Sequence, residues 1–135
     1  MSRAFLDTNV LFYAFRTDDA IKQERAVLLL VEGGVIGVQT LNEFANAARR
    51  KVQMDWADVR DCLAVIRERS RTIVHLDEAV HQEGMYIAER YQVSVYDALH
   101  LAAALAAGCD IFYSEDMHAG LVVEGRLTVV NPFAP

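Results

Sequence analysis

The sequence predicts a single α/β domain in which helices cover both faces of a central parallel sheet. Short apolar segments alternate along the chain with longer amphipathic ones, which is the pattern of buried parallel strands joined by helices. The chain has 135 residues, 53% of them hydrophobic and only two of them proline. A chain of this length and composition forms one folded domain with its own core, so residues 1–135 are assigned to one domain.

Apolar spacing and helix-ending residues predict the first three elements. Residues 4–6 read as a short strand, and one or two helical turns follow over residues 10–15. A second helix is predicted from residue 18 to about residue 32, where two glycines end it. The apolar residues expected on the inner side of this helix are Ile21, Val27, Leu28 and Val31.

The next three elements repeat the alternation. Residues 35–38 are predicted to form a buried strand, and residues 40–52 an amphipathic helix. Asp55 has the chemistry of an N-cap for a further helix. The apolar stripe predicted for that helix consists of Trp56, Val59, Leu63 and Ile66.

The C-terminal half is predicted to contain three strands and two helices. The strands lie at residues 72–75, 111–113 and 127–130, and the helices at residues 78–91 and 94–107. The connection between the last two strands is predicted to be a turn. No internal repeat or low-complexity linker interrupts the chain, which agrees with one domain.

Composition excludes several classes of protein. The net charge of −6 argues against a passive nucleic-acid coat, which needs a basic face, but not against a nuclease whose acids surround cations. The longest apolar run has nine residues, too few to span a membrane, and the N-terminus lacks a signal-peptide pattern. Cys62 and Cys109 fit no metal or redox motif and are expected to be reduced core thiols of a cytoplasmic protein.

Acidic residues stand at positions where α/β proteins place their active sites. Asp7 follows the first strand and Asp116 the fourth, at the carboxyl ends where ligands bind in open α/β sheets. Glu43 and Asp97 are predicted to lie in the first turns of two helices that start from the same edge. Asp110 precedes the fourth strand, at the opposite edge, and is expected to be structural.

Glu43 and Asp97, the acidic residues predicted in first helical turns, each also have a purely structural interpretation. Thr40-x-x-Glu43 reads as a capping box, and Ser94-x-x-Asp97 reads as a looser one. Taken singly, capping is the preferred interpretation, whereas the convergence of all the acids favours a site. Two carboxylates ~4 Å apart repel each other by roughly 4 kcal/mol, so a cation is expected between them. Oxygen ligands suit Mg²⁺ or Mn²⁺, and such a site near a phosphodiester predicts phosphodiesterase chemistry.

Four segments carry a resemblance to a known family, namely FLDTNV at 5–10, QTLNEF at 39–44, YDALHLAAA at 96–104 and YSEDM at 113–117. In this order and spacing the chain resembles PIN-domain proteins, and within them the VapC-type toxins, over nearly its whole length. The resemblance implies a central parallel sheet in the order 3-2-1-4-5. It also implies cleavage of single-stranded RNA at an acidic Mg²⁺ or Mn²⁺ site, homodimerisation, and inhibition by a cognate antitoxin.

Matching positions transfer the family's site to this chain. The acidic residues are Asp7, Glu43, Asp97 and Asp116, with Thr8 and Ser114 as supporting hydroxyls. In the expected mechanism the three aspartates hold one or two cations, and Glu43 either joins them or orients the attacking water. The resemblance suggests products with 5′-phosphate and 3′-hydroxyl ends.

Several residues near these motifs keep open roles. His100 and His118 are expected either to support the acidic residues without touching the substrate or to lie at the surface, and the role of Glu115 is undecided. The basic run at residues 49–51 fits either RNA phosphates or the dipole at a helix end. Tyr96 fits either base stacking or packing.

Two other functions compete with the ribonuclease. One is a catalytically silent PIN-like binding module, against which the complete set of acids argues. The other is a phosphatase that uses Asp7 as nucleophile, although Asp7-Thr8-Asn9 lacks the second aspartate typical of that class. No phosphate-binding glycine loop is present, which disfavours a nucleotide switch.

Overall fold

The computed structural model describes residues 2–135, which form one six-stranded sheet packed between helices. The strands are β1 (Ala4–Leu6), β2 (Val35–Gly37), β3 (Thr72–Val74), β4 (Ile111–Tyr113), β5 (Val122–Val123) and β6 (Leu127–Val130). The helices are α1 (Thr8–Phe15), α2 (Ala20–Glu32), α3 (Val38–Lys51), α4 (Trp56–Arg69), α5 (Glu78–Tyr91) and α6 (Val95–Ala106).

The strand order is β3-β2-β1-β4-β6-β5. Every predicted strand is present, the pairs along β3-β2-β1-β4-β6 are parallel, and these strands follow the expected order. The addition is β5, which pairs antiparallel with β6. Its hairpin turns at Glu124 and Gly125, both at positive φ, as a tight hairpin requires. A strand of two residues is too short to show an alternating pattern, so the sequence indicated only a turn.

Two apolar clusters cover the two faces of the sheet. Because successive residues of a strand point to opposite faces, Phe5 belongs to the cluster under α5 and α6, and Leu6 to the cluster under α1 to α4. Phe5 stacks on Phe112 of the neighbouring strand with ring centroids 5.1 Å apart. The burial of β1 on both faces fixes where this strand ends, and hence where Asp7 lies.

The predicted inner face of α2 is wrong. Ile21 is 81% exposed, and the other residues predicted to face inward, Val27, Leu28 and Val31, are also exposed. The residues that pack inward are Ala26, Leu29 and Leu30. The C-terminal half of this helix is apolar on every side, so apolar spacing does not select the buried face.

Helix α3 begins earlier than predicted, and this overturns the capping box assigned to Thr40 and Glu43. Its N-cap is Gly37, and Val38 is its first residue rather than part of a strand. The buried Thr40 hydroxyl accepts a hydrogen bond from the Gly37 N–H at 3.1 Å, so Thr40 lies inside the first turn. Glu43 therefore lies in the second turn, where a side chain does not cap the helix.

The other helix starts agree better with the sequence. Asp55 caps α4 by accepting from the Asp58 N–H at 2.9 Å, and Ser94 caps α6 by accepting from the Asp97 N–H at 3.2 Å. Trp56 does not belong to the buried stripe of α4, because 55% of it is exposed. Its indole instead lies 4.7 Å from the Arg49 guanidinium, a cation–π contact.

Both cysteines are free thiols, with Cys109 buried and Cys62 partly buried. Burial raises the pKa of the Cys109 thiol to about 11, so it packs as a neutral apolar group. Among the helices of residues 2–135, none is long and apolar enough to cross a membrane.

Candidate active site

A polar cleft of about 480 Å³ opens where β1 ends and α1 begins. All the carboxylates predicted from the sequence to form a site line this cleft, namely Asp7, Glu43, Asp97 and Asp116. Thr8 lines it too, whereas Ser114 lies beneath it and is completely buried. Residues from β1, α3, α6 and the segment after β4 are therefore gathered at one edge of the sheet.

Asp7 is the most deeply buried carboxylate of the cleft, with 7% of its surface exposed. It caps α1 by accepting from the Thr8 N–H at 2.8 Å, and its second oxygen accepts from the Ser114 hydroxyl at 2.8 Å. Burial raises the pKa of Asp7, and the charge of Asp97 adds to this, against the opposing influence of His100 and the two hydrogen bonds. An anionic Asp7 is thus costly here without a nearby cation.

Glu43 is held by three side chains. Its Oε1 accepts from the Thr8 hydroxyl at 3.1 Å, and its Oε2 accepts from the Gln39 amide at 3.0 Å and lies 3.0 Å from His100 Nε2. Burial alone raises the pKa of Glu43, but the hydrogen bond and charge of His100, together with the bonds from Gln39 and Thr8, bring it below its ordinary value. Glu43 is therefore an anion at neutral pH.

His100 contacts the cleft carboxylate Glu43, which agrees with the supporting role expected for it from the sequence. Its ring is 1% exposed and packs against Phe5 with ring centroids 5.9 Å apart. Burial lowers its pKa, but the hydrogen bond with Glu43 and the charges of Asp7, Glu43 and Asp97 outweigh this and raise it. The signal was the i+3 spacing from Asp97, which places both residues on one side of a helix. His118 is exposed.

The remaining two acids are more open to solvent. Asp97 lies half-buried in the first turn of α6, and the exposed Asp116 accepts a hydrogen bond from the Asn9 amide. The Ser114 hydroxyl accepts from the Asp116 N–H at 3.2 Å and the Met117 N–H at 3.1 Å. Ser114 thus fixes the loop that carries Asp116 while it donates to Asp7. The contact of Asn9 with Asp116 was not predicted from the sequence.

Glu115 is turned away from the cleft. One of its oxygens accepts from the Tyr13 hydroxyl at 2.7 Å, and the other pairs with the Lys22 ammonium. The hydrogen bond to Glu115 raises the pKa of Tyr13 to about 12. The role left open for Glu115 is therefore a structural tie between the loop after β4 and helices α1 and α2.

The aspartates of the cleft lack cationic partners of their own. Within residues 2–135 the ion pairs are Lys22–Glu115 and His100–Glu43, so Asp7, Asp97 and Asp116 form none there. No three Asp, Glu, His or Cys side chains of the described chain are grouped closely enough to form a ready metal site. The donor chemistry nevertheless fits Mg²⁺ or Mn²⁺, because carboxylate oxygens are the ligands these ions prefer.

The family model described as PIN domain matches residues 4–119. The chain belongs to the PIN domain family. The matched segment includes every acidic residue of the cleft. No curated protein matches the chain.

Solved structures of other proteins share the fold. A toxin–antitoxin complex from Klebsiella pneumoniae aligns with a TM-score of 0.70 at 18% identity, over 96% of this chain and 98% of that one. VapC20 of Mycobacterium tuberculosis, described as a sarcin-ricin loop cleaving toxin, aligns with a TM-score of 0.66 at 18% identity, over 84% and 89%. FitAcB of Neisseria gonorrhoeae aligns with a TM-score of 0.62 at 18% identity, over 96% and 98%.

Proposed function

We propose that this PIN domain is a metal-dependent endoribonuclease that cleaves single-stranded RNA, and that it is the toxin of a type II toxin–antitoxin pair. The observation that carries the proposal is the cleft lined by Asp7, Glu43, Asp97 and Asp116. A protein that only binds a partner gains nothing from gathering mutually repelling carboxylates, since their repulsion costs stability. The fold likeness to VapC20, described as a sarcin-ricin loop cleaving toxin, supports the choice of RNA.

Asp7, Asp97 and Asp116 would hold Mg²⁺ or Mn²⁺. When bound, the cation would supply Lewis-acid stabilisation of charge on the phosphoryl group. Glu43 would orient the attacking water and take up its proton, because it is ionised and aimed by hydrogen bonds. Thr8 and Ser114 would position the carboxylates of Glu43 and Asp7, to which they donate.

The decisive experiment incubates the purified protein with a mixed RNA pool in Mg²⁺, in Mn²⁺ and in excess EDTA. We expect cleavage with either metal, none in EDTA, and none from Asp7→Asn. Asp116→Asn is a second variant, because this exposed residue can change without disturbing the core. Asp61→Asn, an exposed carboxylate of α4, is the matched control and should cleave normally. Undiminished cleavage in EDTA would refute the metal mechanism.

A cognate antitoxin, a homodimeric toxin and a cytoplasmic site of action complete the proposal. The K. pneumoniae neighbour is a toxin–antitoxin complex, and an acidic cleft is complementary to an Arg or Lys side chain of a partner peptide. RNA and a co-expressed antitoxin would both meet this toxin in the cytoplasm. Co-expression with the neighbouring gene product should yield a complex without ribonuclease activity. A partner that binds and leaves cleavage unchanged would refute inhibition at the cleft.

A further inference from the structure

One face of α3 forms a polar stripe that runs along the active-site cleft. The residues of this α3 stripe recur at intervals of three or four and so share one side of the helix, and they are Gln39, Asn42, Glu43, Asn46 and Arg50. The residues Thr40, Phe44 and Ala48 are buried on the other side. At 1.5 Å per residue the stripe is roughly 16 Å long. It therefore extends well beyond Glu43, the one carboxylate that it contributes to the first cleft.

A second cleft, of about 410 Å³, continues the first along this stripe. Both clefts are lined by Glu43 and Asn46, and the second adds Gln39, Asn42 and Tyr96. The carboxylates thus occupy the middle of a longer channel. Glu43 marks the point at which its two arms meet.

The arm beside Tyr96 has the chemistry of a nucleobase site. Tyr96 is 63% exposed, unusual for a large aromatic side chain, and lines the second cleft. The carboxamides of Asn42 and Asn46 line the same cleft, and within residues 2–135 neither makes a side-chain hydrogen bond. Aromatic rings stack on bases, and free carboxamides pair with base edges.

The other arm carries two cations. Of the basic run at the end of α3, Arg50 and Lys51 line the first cleft. Arg49 is used structurally, since its guanidinium donates to the Met54 carbonyl at 2.7 Å and lies over Trp56. Neither Arg50 nor Lys51 forms an ion pair with another residue of the described chain. In a protein of net charge −6, two such cations beside an acidic site are suited to a polyanion.

We propose that the α3 stripe, together with Tyr96 and Lys51 in the clefts beside it, is the RNA-binding track of this protein, with a base stacked on Tyr96 and a backbone phosphate bound by Arg50 and Lys51. This inference rests on the proposed function and adds the residues that bind the strand on each side of the scissile bond. Asn42 and Asn46 contact the stacked base and give the site its sequence preference.

The test measures binding apart from cleavage, by fluorescence anisotropy of a short unstructured RNA in EDTA at low salt. We expect Arg50→Gln and Lys51→Gln each to weaken binding and to reduce the slope of log affinity against log salt, by about 0.7 per lost phosphate contact. Tyr96→Ala should weaken binding about tenfold, whereas Tyr96→Phe keeps the stacking surface and the affinity. Arg67→Gln and Tyr86→Ala, exposed on α4 and α5, are matched controls that should bind normally.

The outcomes separate this inference from the nuclease proposal. Three results would each overturn the track. They are wild-type affinity in the Arg50, Lys51 and Tyr96→Ala variants, equal losses in the α4 and α5 controls, and no RNA binding by the wild type. If the wild type binds through these residues but cleaves nothing in Mg²⁺ or Mn²⁺, the track stands and the nuclease proposal fails. If it cleaves RNA but the variants keep full affinity, the nuclease proposal stands and the track fails.

Discussion

The Nε2 atom of His100 lies 3.0 Å from Oε2 of Glu43, and the His100 ring is almost entirely buried. Its other nitrogen, Nδ1, is buried too and has no hydrogen-bond partner in residues 2–135. Among the side chains of these residues, Glu43, which lines the cleft, is therefore the hydrogen-bond partner of the ring. This contact connects α6 to α3 and fixes the carboxylate that faces the proposed scissile phosphate.

Glu43→Gln should abolish most of the ribonuclease activity while the protein stays folded. Glutamine can still bond to Thr8 and Gln39 but lacks the charge needed to take up a proton, a loss worth on the order of 100-fold or more in rate. Cleavage rates and thermal melting of the variant and of the wild type provide the measurement. Glu68→Gln, an exposed glutamate of α4, serves as control. Full activity in Glu43→Gln would remove Glu43 from the site.

The stability of the metal-free protein should depend on pH through the His100–Glu43 pair. The folded-state pKa of His100 is above its ordinary 6.5, so its contribution is complete below pH 6.5 and disappears as pH rises through the folded value. The folded-state pKa of Glu43 is below its ordinary 4.5, so its contribution is complete above pH 4.5 and disappears as pH falls through the folded value.

The difference in Tm between the wild type and Glu43→Gln, measured in EDTA, should therefore be greatest between pH 4.5 and 6.5 and shrink at higher pH. The negative charges of Asp7 and Asp97 also raise the pKa of His100. The Asp97→Asn variant is therefore measured in parallel, to separate the effect of the Asp97 charge from that of Glu43. A difference in Tm that is constant across the pH range would contradict a charged pair.

A divalent cation should stabilise the fold through the aspartates. Repulsion among these carboxylates exists only in the folded protein, and a metal at 100 times its Kd adds about 2.7 kcal/mol to the free energy of unfolding. The Tm in Mn²⁺ should be higher than the Tm in EDTA for the wild type and for Asp61→Asn. For Asp97→Asn this difference in Tm should be much smaller. Equal shifts in all three proteins would place the metal elsewhere.

Gly34→Ala should destabilise the protein by about 1–3 kcal/mol. A Cβ at this position would lie 2.6 Å from Leu6 Cγ and 3.3 Å from the Ala4 carbonyl, and Leu6 is buried in β1. Gly37→Ala is the matched control, because its added Cβ would meet nothing closer than 3.7 Å. Urea denaturation of both variants gives the comparison, and an equal small effect in the two would mean that β1 adjusts freely.

The sequence predicted where the strands and helices lie along the chain better than it predicted which face of a helix is buried. The strand order that the family resemblance implied is confirmed. Most helix bounds are confirmed because the caps at Asp55 and Ser94 use residues of the expected type. The buried face of α2 escaped prediction because Ala26 through Val31 are all apolar. The N-cap of α3 also escaped prediction, because the glycine at position 37 has no side chain that would indicate a cap.

At the site, the sequence identified residue types but not their connections. The acids could be named because each stands beside an element end, and all of them line the cleft. His100 and Asn9 were missed as partners because their contacts, to Glu43 and Asp116, join residues 57 and 107 positions apart. Contacts between residues so far apart in sequence depend on the order of the strands in the sheet. The spacing of nearby residues does not predict them.

The position of β1 in the sheet determines when the site can exist during protein synthesis. This strand is made more than a hundred residues before its neighbour β4 and before the Ser114 hydroxyl that bonds to Asp7. Translation proceeds from the N-terminus, so a nascent chain cannot close the cleft until Asp116 has left the ribosome. In the proposed ribonuclease, a ribosome-bound fragment that stops short of Asp116 would therefore lack a complete cleft and would not cleave the RNA around it.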